Sequence, residues 1–267
     1  MDKVKLSSET STTNRDEQVV AGFGEEWSRF SQERLSDSER RAIFDDYFFN
    51  FPWDELPADA NGADIGCGSG RWALVSAPLL AGHLICVDAS EEALGVAKRN
   101  LANHTNVLFC QADVGGLPFE DGELDFAYSL GVLHHVPDTK EAIANISRAL
   151  KPGAPFLIYL YYAFNDRPLW FRGLWRLTDF LRRLICKLPS FLRFRICDLI
   201  AVTIYWPLAR AAAIVQLLNL PLGNFPLQYY RDKSFYVMRT DSLDRFGTRL
   251  EKRFSKEQVA GMLQEAG

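Results

Sequence analysis

The stretch Asp64-Ile65-Gly66-Cys67-Gly68-Ser69-Gly70 constrains this chain more than any other. An apolar strand end runs into three alternating glycines. Glycine has no Cβ, so it takes positive φ without steric cost and lets a ligand come close to the backbone. A helix opening directly after the loop would point free N–H groups at the same spot. Such a loop is a cradle for a nucleotide-like cofactor, although taken alone it also fits an ordinary tight turn between strand and helix.

The surroundings favour the cradle. Leu84-Ile85-Cys86-Val87-Asp88 is an apolar run ending in an acid 18 positions beyond Gly70. That is the spacing at which a second parallel strand delivers a carboxylate to a ribose, whose two hydroxyls it can accept. A third run, Asn106 to Cys110, leads into Gln111-Ala112-Asp113, and a fourth, Leu124 to Tyr128, leads into Ser129-Leu130-Gly131-Val132-Leu133-His134-His135-Val136-Pro137-Asp138. Helices are predicted over 69–80, 90–103 and 138–150. Their start signals are the glycine loop, Ser90 before two glutamates, and the capping box Asp138-Thr139-Lys140-Glu141. Lys151-Pro152-Gly153 stops the last helix, and Pro155 to Tyr161 reads as a fifth strand. Strands alternating with helices imply an α/β, Rossmann-like, doubly wound and mostly parallel sheet, with the ligand at the carboxyl ends of its strands.

From about Gly62 to Gly153 these motifs together resemble the class I S-adenosylmethionine-dependent methyltransferases, in the small-molecule group that carries D-x-G-C-G-x-G, V-D-x-S, A-D before L-P-F, and L-H-H-V-P-D. The resemblance implies S-adenosylmethionine as cofactor. Asp64 and the backbone of Gly66, Cys67, Gly68 and Gly70 would hold its methionyl end, Asp88 its ribose and Asp113 its adenine amino group. Ala89, Ala112 and Val114 would flank the adenine, and Leu130 would complete the pocket. A nicotinamide dehydrogenase is the rival in the same fold class. It needs G-x-G-x-x-G, whereas the third glycine here comes one place early.

The rest of the chain divides around this core. Residues 1–18 are expected to be a mobile tail. Residues 19–161 hold N-terminal helices and the cofactor-binding core; Phe23, Trp27 and Phe30 fall at helical spacing, and Ser36-Asp37-Ser38-Glu39 reads as a capping box. Trp27 closing over the ligand and Trp27 packing as core are both open. Residues 162–250 are expected to be a helical insertion, rich in aromatic and basic residues, that caps the substrate site. Residues 251–267 form the last core helix, and the chain ends at Gly267 where the resembling family adds two antiparallel strands, so terminal strands are expected to be missing.

Charge is unevenly spread. Residues 164–233 hold 11 Lys and Arg against 4 Asp, a surplus of seven that leaves minus eleven for the remainder of a chain with net charge −4. A solvated helix face, an anionic substrate and a peripheral contact with anionic lipid each account for it. Nucleic acid is disfavoured, since the domain as a whole is acidic and carries no nucleic-acid module. The run Ile196 to Leu218 is apolar, but Asp198, Pro207 and Arg210 interrupt it and argue against a membrane span. Five cysteines without a C-x-x-C pair point to reduced thiols in the cytoplasm and to no metal site.

Methyl transfer asks the protein mainly to align nucleophile and methyl, and to remove a proton when the acceptor is a hydroxyl. His134 and His135 follow the fourth strand and are the candidate bases. Tyr162, Asn165, Arg167 and Tyr230 are the candidate contacts to a small-molecule acceptor, O- or C-methylated and amphipathic or anionic. A non-catalytic S-adenosylmethionine-binding or membrane-associated protein with an incomplete fold is the alternative. The sequence does not set the oligomeric state.

Overall fold

The structure is a computed structural model that describes residues 13–267. Most of the expected tail lies outside the described residues. Its last part does not behave as one: Asn14 is buried, and Asp16 caps the first helix, α1 (Glu17–Arg29), by accepting from the amides of Gln18 and Val19. The second helix is α2 (Asp37–Tyr47). Ser36 Oγ accepts from the Glu39 amide as the capping box requires, but the Glu39 carboxylate accepts from the Ser234 amide instead of reaching back.

The chain forms two compact units. The first comprises the described residues up to Gln32, Arg40–Asn165 and Leu250–Gly267. Its five strands are β1 (Gly62–Ile65), β2 (Leu84–Asp88), β3 (Val107–Gln111), β4 (Phe126–Leu130) and β5 (Phe156–Tyr159), all parallel in the order β3-β2-β1-β4-β5. β1 and β4 are buried at every residue, whereas the outer strands β3 and β5 are not. That gradient is what helices on both faces of a parallel sheet produce. Strand order reverses at β1, so the crevice beside it is the switch point where ligands bind in such sheets.

Between the strands run α3 (Ala73–Ser76), α4 (Glu91–Asn100) and α5 (Thr139–Ala149). Ser90 and Asp138 cap the latter two through the amides of Ala93 and Glu141, as their sequences predict. The helix expected at 69–80 is the exception. Only one α-turn forms, followed by a 3₁₀ turn over Ala77–Leu79 where Pro78 lacks an N–H. Ile143, Ile146 and Ala149 of α5 pack on the sheet with Ala63, Ala127 and Leu133. The last helix, α10 (Lys256–Ala266), opens on a full capping box between Ser255 and Gln258, and lays Met262 and Ala266 on the same core.

The second unit, Glu33–Glu39 with Asp166–Arg249, is helical: α6 (Leu169–Ile185), α7 (Ser190–Ile200), α8 (Trp206–Leu217) and α9 (Phe235–Gly247). A π-turn over Ala201–Tyr205 joins α7 to α8, so 190–217 is one continuous helix of 28 residues. Its core includes Cys197, Ala201, Ala209, Met238, Leu243 and Phe246. Ion pairs reinforce it: Asp179 binds Arg182 and Arg183 at 2.9 Å, and Asp198 binds Arg239 through two hydrogen bonds of 2.9 and 3.1 Å.

Candidate active site

The glycine loop turns back over the ends of β1 and β2. The amides of Gly66 and Cys67 both donate to the Val87 carbonyl, at 2.7 and 3.0 Å. Gly66, Gly68 and Gly70 all have positive φ. A Cβ on Gly66 would lie 2.3 Å from Val132 Cγ2, and one on Gly68 would lie 2.7 Å from the Trp27 ring. The loop therefore needs glycine twice over, for its backbone angle and for its neighbours. The free helix N-terminus expected after it does not materialise, because α3 begins only at Ala73 and is a single turn. The loop backbone and side chains from three strand ends make the site instead.

These groups border an open cleft of about 890 Å³ counted to its mouth. Gly66 and Cys67 form one wall, Asp88 and Ala89 follow β2, and Ala112, Asp113 and Val114 follow β3. Leu130, Gly131 and His135 come from the end of β4 and its loop. Asp88 sits with one carboxylate oxygen on the Gly68 amide and the other on the Ser90 amide, both at 2.9 Å. Burial raises its pKa, and the Ser90, Gly68 and Ala89 amides work against that rise. Asp113 accepts from the Gly115 amide at 2.7 Å and the Asn14 amide at 3.3 Å.

Asp64 lies elsewhere than the cleft wall. It is buried beneath the loop, and neither carboxylate oxygen has a hydrogen-bond partner of good geometry. Burial pushes its pKa up to about 8; the Tyr128 hydroxyl pulls it down, the charge of Asp88 adds to the rise and Arg71 opposes it. Tyr128 Oη is itself shared with Ser76 Oγ at 2.9 Å. Gly68 and Gly70 shape the loop without bordering the cleft.

The two histidines part company. His134 is 0% exposed, stacks on Tyr161 with ring centroids 3.8 Å apart, and has neither ring nitrogen hydrogen-bonded. Burial, then the charges of His135 and Arg253, hold its pKa well below the usual imidazole range. His134 is thus a neutral core residue and does not reach the cleft, which removes it as a candidate base. His135 borders the cleft, and its Nδ1 lies 2.6 Å from the Leu250 carbonyl oxygen. A carbonyl only accepts, so Nδ1 carries the proton and Nε2 of the neutral ring is the basic atom.

Of the expected acceptor contacts, Tyr162 and Asn165 lie in the first unit outside the cleft lining. Tyr162 pairs its backbone with Phe254 beyond β5, and exposed Asn165 closes the first unit. Arg167 and Tyr230 belong to the helical unit, where Arg167 bonds Asn224 and Tyr230 donates to Asp241 at 2.8 Å.

Several cleft residues escaped the sequence reading. Asn14 donates to the Asp138 carbonyl and accepts from the Asp138 amide, tying the N-terminal segment to the loop after β4. Arg71 stacks over Trp72, 4.2 Å from its ring centre, and faces Trp27. Val19, Val20 and Phe23 of α1 roof the cleft beside Trp27. The helical spacing of Phe23 and Trp27 marked their face, but nothing local marked Asn14. No cluster of three or more His, Cys, Asp or Glu side chains able to hold a metal ion occurs among the described residues.

Residues 63–158 match the family model described as a methyltransferase domain. A demethylmenaquinone methyltransferase of Staphylococcus carnosus is 36% identical over 92 residues, which is 34% of this chain and 38% of that protein. An uncharacterised 37.1 kDa transposon protein of Streptomyces fradiae is 38% identical over 92 residues, 34% of this chain and 27% of that protein. The match thus spans little more than a third, at most, of the length of these relatives. Among solved structures, an S-adenosylmethionine-dependent methyltransferase of Thermotoga maritima is 17% identical over 92% of this chain and 80% of its own, with a TM-score of 0.45.

Proposed function

We propose that this chain transfers a methyl group from S-adenosylmethionine to a small-molecule acceptor in the cytoplasm. The observation that carries the reading is the glycine cradle at positive φ beside two strand-end carboxylates, Asp88 and Asp113, on one cleft. The cofactor fits what the residues leave open. Asp64 Oδ1 and Oδ2 and Ser69 Oγ are buried polar atoms without partners beside the cleft-lining loop. Five free cysteines, four of them buried, agree with a reducing compartment.

Bound there, S-adenosylmethionine supplies a methyl group on a positively charged sulfur, an electrophile with a good leaving group. Asp88, with one backbone donor on each oxygen, keeps lone pairs for the ribose hydroxyls. Asp113 and the Asn14 segment close the adenine end, between the small side chains of Ala89 and Ala112 and that of Val114. Asp64, beneath the loop, supplies a negative charge to the methionyl end once a cation faces it. His135 borders the cleft with Nδ1 fixed on the Leu250 carbonyl, and a proton from a hydroxyl or acidic-carbon acceptor would go to its Nε2, which is buried in this structure. The matched relatives do not identify the acceptor, because the match stops at residue 158 and the helical unit begins at Asp166.

Calorimetric titration with S-adenosylmethionine tests this. Saturable binding is expected, and Asp88→Ala should weaken it by about 1.5–3 kcal/mol, roughly 10- to 150-fold. A folded wild-type chain that binds neither S-adenosylmethionine nor S-adenosylhomocysteine would refute the reading.

A further inference from the structure

The helical unit has an apolar core, yet it leaves long apolar stripes on its surface. In α6 the inward side carries charge: Asp179 and Arg182 are buried as a pair, and Arg182 Nη1 also donates to the carbonyls of Thr248 and Arg249 at 2.8 and 2.9 Å. The outward side is apolar. Trp170, Leu174, Leu177, Leu181 and Leu184 are all exposed. At 100° per residue these five fall within an arc of about 80° on the helix wheel. Phe180 extends the stripe at 59% exposure.

The long helix 190–217 repeats the pattern. Arg193, Cys197, Ala201, Tyr205, Ala209 and Ala212 are buried at helical spacing. Phe191, Leu199, Val202, Trp206, Ile214 and Leu217 form an exposed stripe, with Phe191 at 67% and Leu217 at 81%. So much exposed apolar surface on two helices marks an interaction face.

Charge selects the occupant. Arg176 and Arg183 fall on one flank of the α6 stripe, Lys187 follows just past the helix end, and Arg195 lies within the second stripe. Arg172, Arg176, Lys187 and Arg195 have no ion-pair partner among the described residues. An apolar stripe edged with basic side chains is the pattern of a helix lying in a membrane surface, its apolar face among acyl chains and its cations on anionic headgroups. A second copy would bring like charges together across a two-fold axis.

The helix 190–217 is long and apolar enough to cross a bilayer, but its burial pattern opposes that. Crossing would strip Asp198 from Arg239, and would carry Arg193 and Arg210, which donates to the carbonyls of Tyr230 and Lys233, into the hydrocarbon. Nor is it a core helix, since only 22% of its most apolar stretch is buried. We infer that the helical unit docks flat on an anionic lipid surface through the outward faces of α6 and of the helix 190–217. The inference does not depend on methyl transfer.

Co-sedimentation of the full chain with vesicles tests it, using phosphatidylcholine alone and with about 30% phosphatidylglycerol. Binding is expected to the anionic vesicles, weakening as salt rises to about 0.5 M. Leu177→Glu and Phe180→Glu, both on the exposed face, should each reduce binding about tenfold or more while leaving the circular dichroism melt unchanged. Arg176→Glu with Lys187→Glu should weaken binding and flatten its salt dependence. The inference fails if the folded wild-type chain stays in solution with anionic vesicles, or if the two glutamate variants bind as well as it does. It also fails if the stripe instead holds a dimer that Phe180→Glu dissolves without any vesicle binding. Association that survives an alkaline carbonate wash would mean a spanning helix and would overturn it too.

Discussion

Asp64→Asn should stabilise the protein, and by an amount that grows with pH. The folded chain holds the Asp64 proton up to about pH 8, because the carboxylate would otherwise be charged in a buried site whose cost the Tyr128 hydroxyl and Arg71 offset only in part. The unfolded chain releases it near 3.8. Below pH 3.8 both states are protonated and burial carries no ionic penalty. Between there and about pH 8 the unfolded state gives up the proton and the folded state keeps it, so stability falls as pH rises. At 1.36 kcal/mol per pH unit, the cost at pH 7 has a ceiling of about 4 kcal/mol. Asparagine removes that cost but leaves an amide donor unsatisfied, at about 1–3 kcal/mol. A net gain of about 1–3 kcal/mol at pH 7 is therefore expected. The amide term does not vary with pH, so the difference between variant and wild type should widen by up to about 3 kcal/mol from pH 5 to pH 7. Urea unfolding followed by circular dichroism at pH 5, 6, 7 and 8 measures it, and comparing two chains at each pH cancels the other titrating groups. A difference that stays flat across that range would show that folded Asp64 is already ionised and would refute the reasoning.

Other substitutions probe the loop and the helical unit. Gly66→Ala puts a Cβ at φ +77° and 2.3 Å from Val132. Left-handed strain of about 1–2 kcal/mol and overpacking of about 1–3 kcal/mol should together lower unfolding stability by about 2–5 kcal/mol and weaken S-adenosylmethionine binding; a variant that melts and binds like wild type would contradict the cradle. Arg182→Met leaves Asp179 with Arg183 but without its buried partner, and leaves two carbonyls without the Arg182 donor. A loss of about 3–5 kcal/mol in urea unfolding is expected, and a neutral result would show that the pair is not needed to hold α6.

The alternation of strands and helices in a parallel sheet, the position of the glycine loop and the placement of Asp88 and Asp113 after strand ends were legible in the chain itself. These are local requirements: positive φ at the switch point admits glycine and little else, period and caps mark each helix, and an apolar run ending in an acid marks each strand end. The helix expected from 69 to 80 was over-extended because helical propensity before Pro78 outweighed the turn that the proline imposes.

Tertiary structure decided the rest, because burial and partnership arise from residues far apart in sequence. His134 and His135 are neighbours with the same intrinsic chemistry, yet one is sealed against Tyr161 and the other held at the cleft by Leu250, more than a hundred residues away. Asp64 reads as a ligand for a cofactor, and only the packing of Tyr128 and the loop above it turns it into a carboxyl that keeps its proton to about pH 8. Asn14 carries no local signal, and gains its place by pairing with Asp138, 124 positions on. The aromatic and basic wealth of 164–233 was plain in the sequence, but periodicity alone cannot say which face of a helix turns inward. The partners available to Asp179 and Arg182 settle that for α6, by drawing this pair inside and leaving the apolar stripe outside.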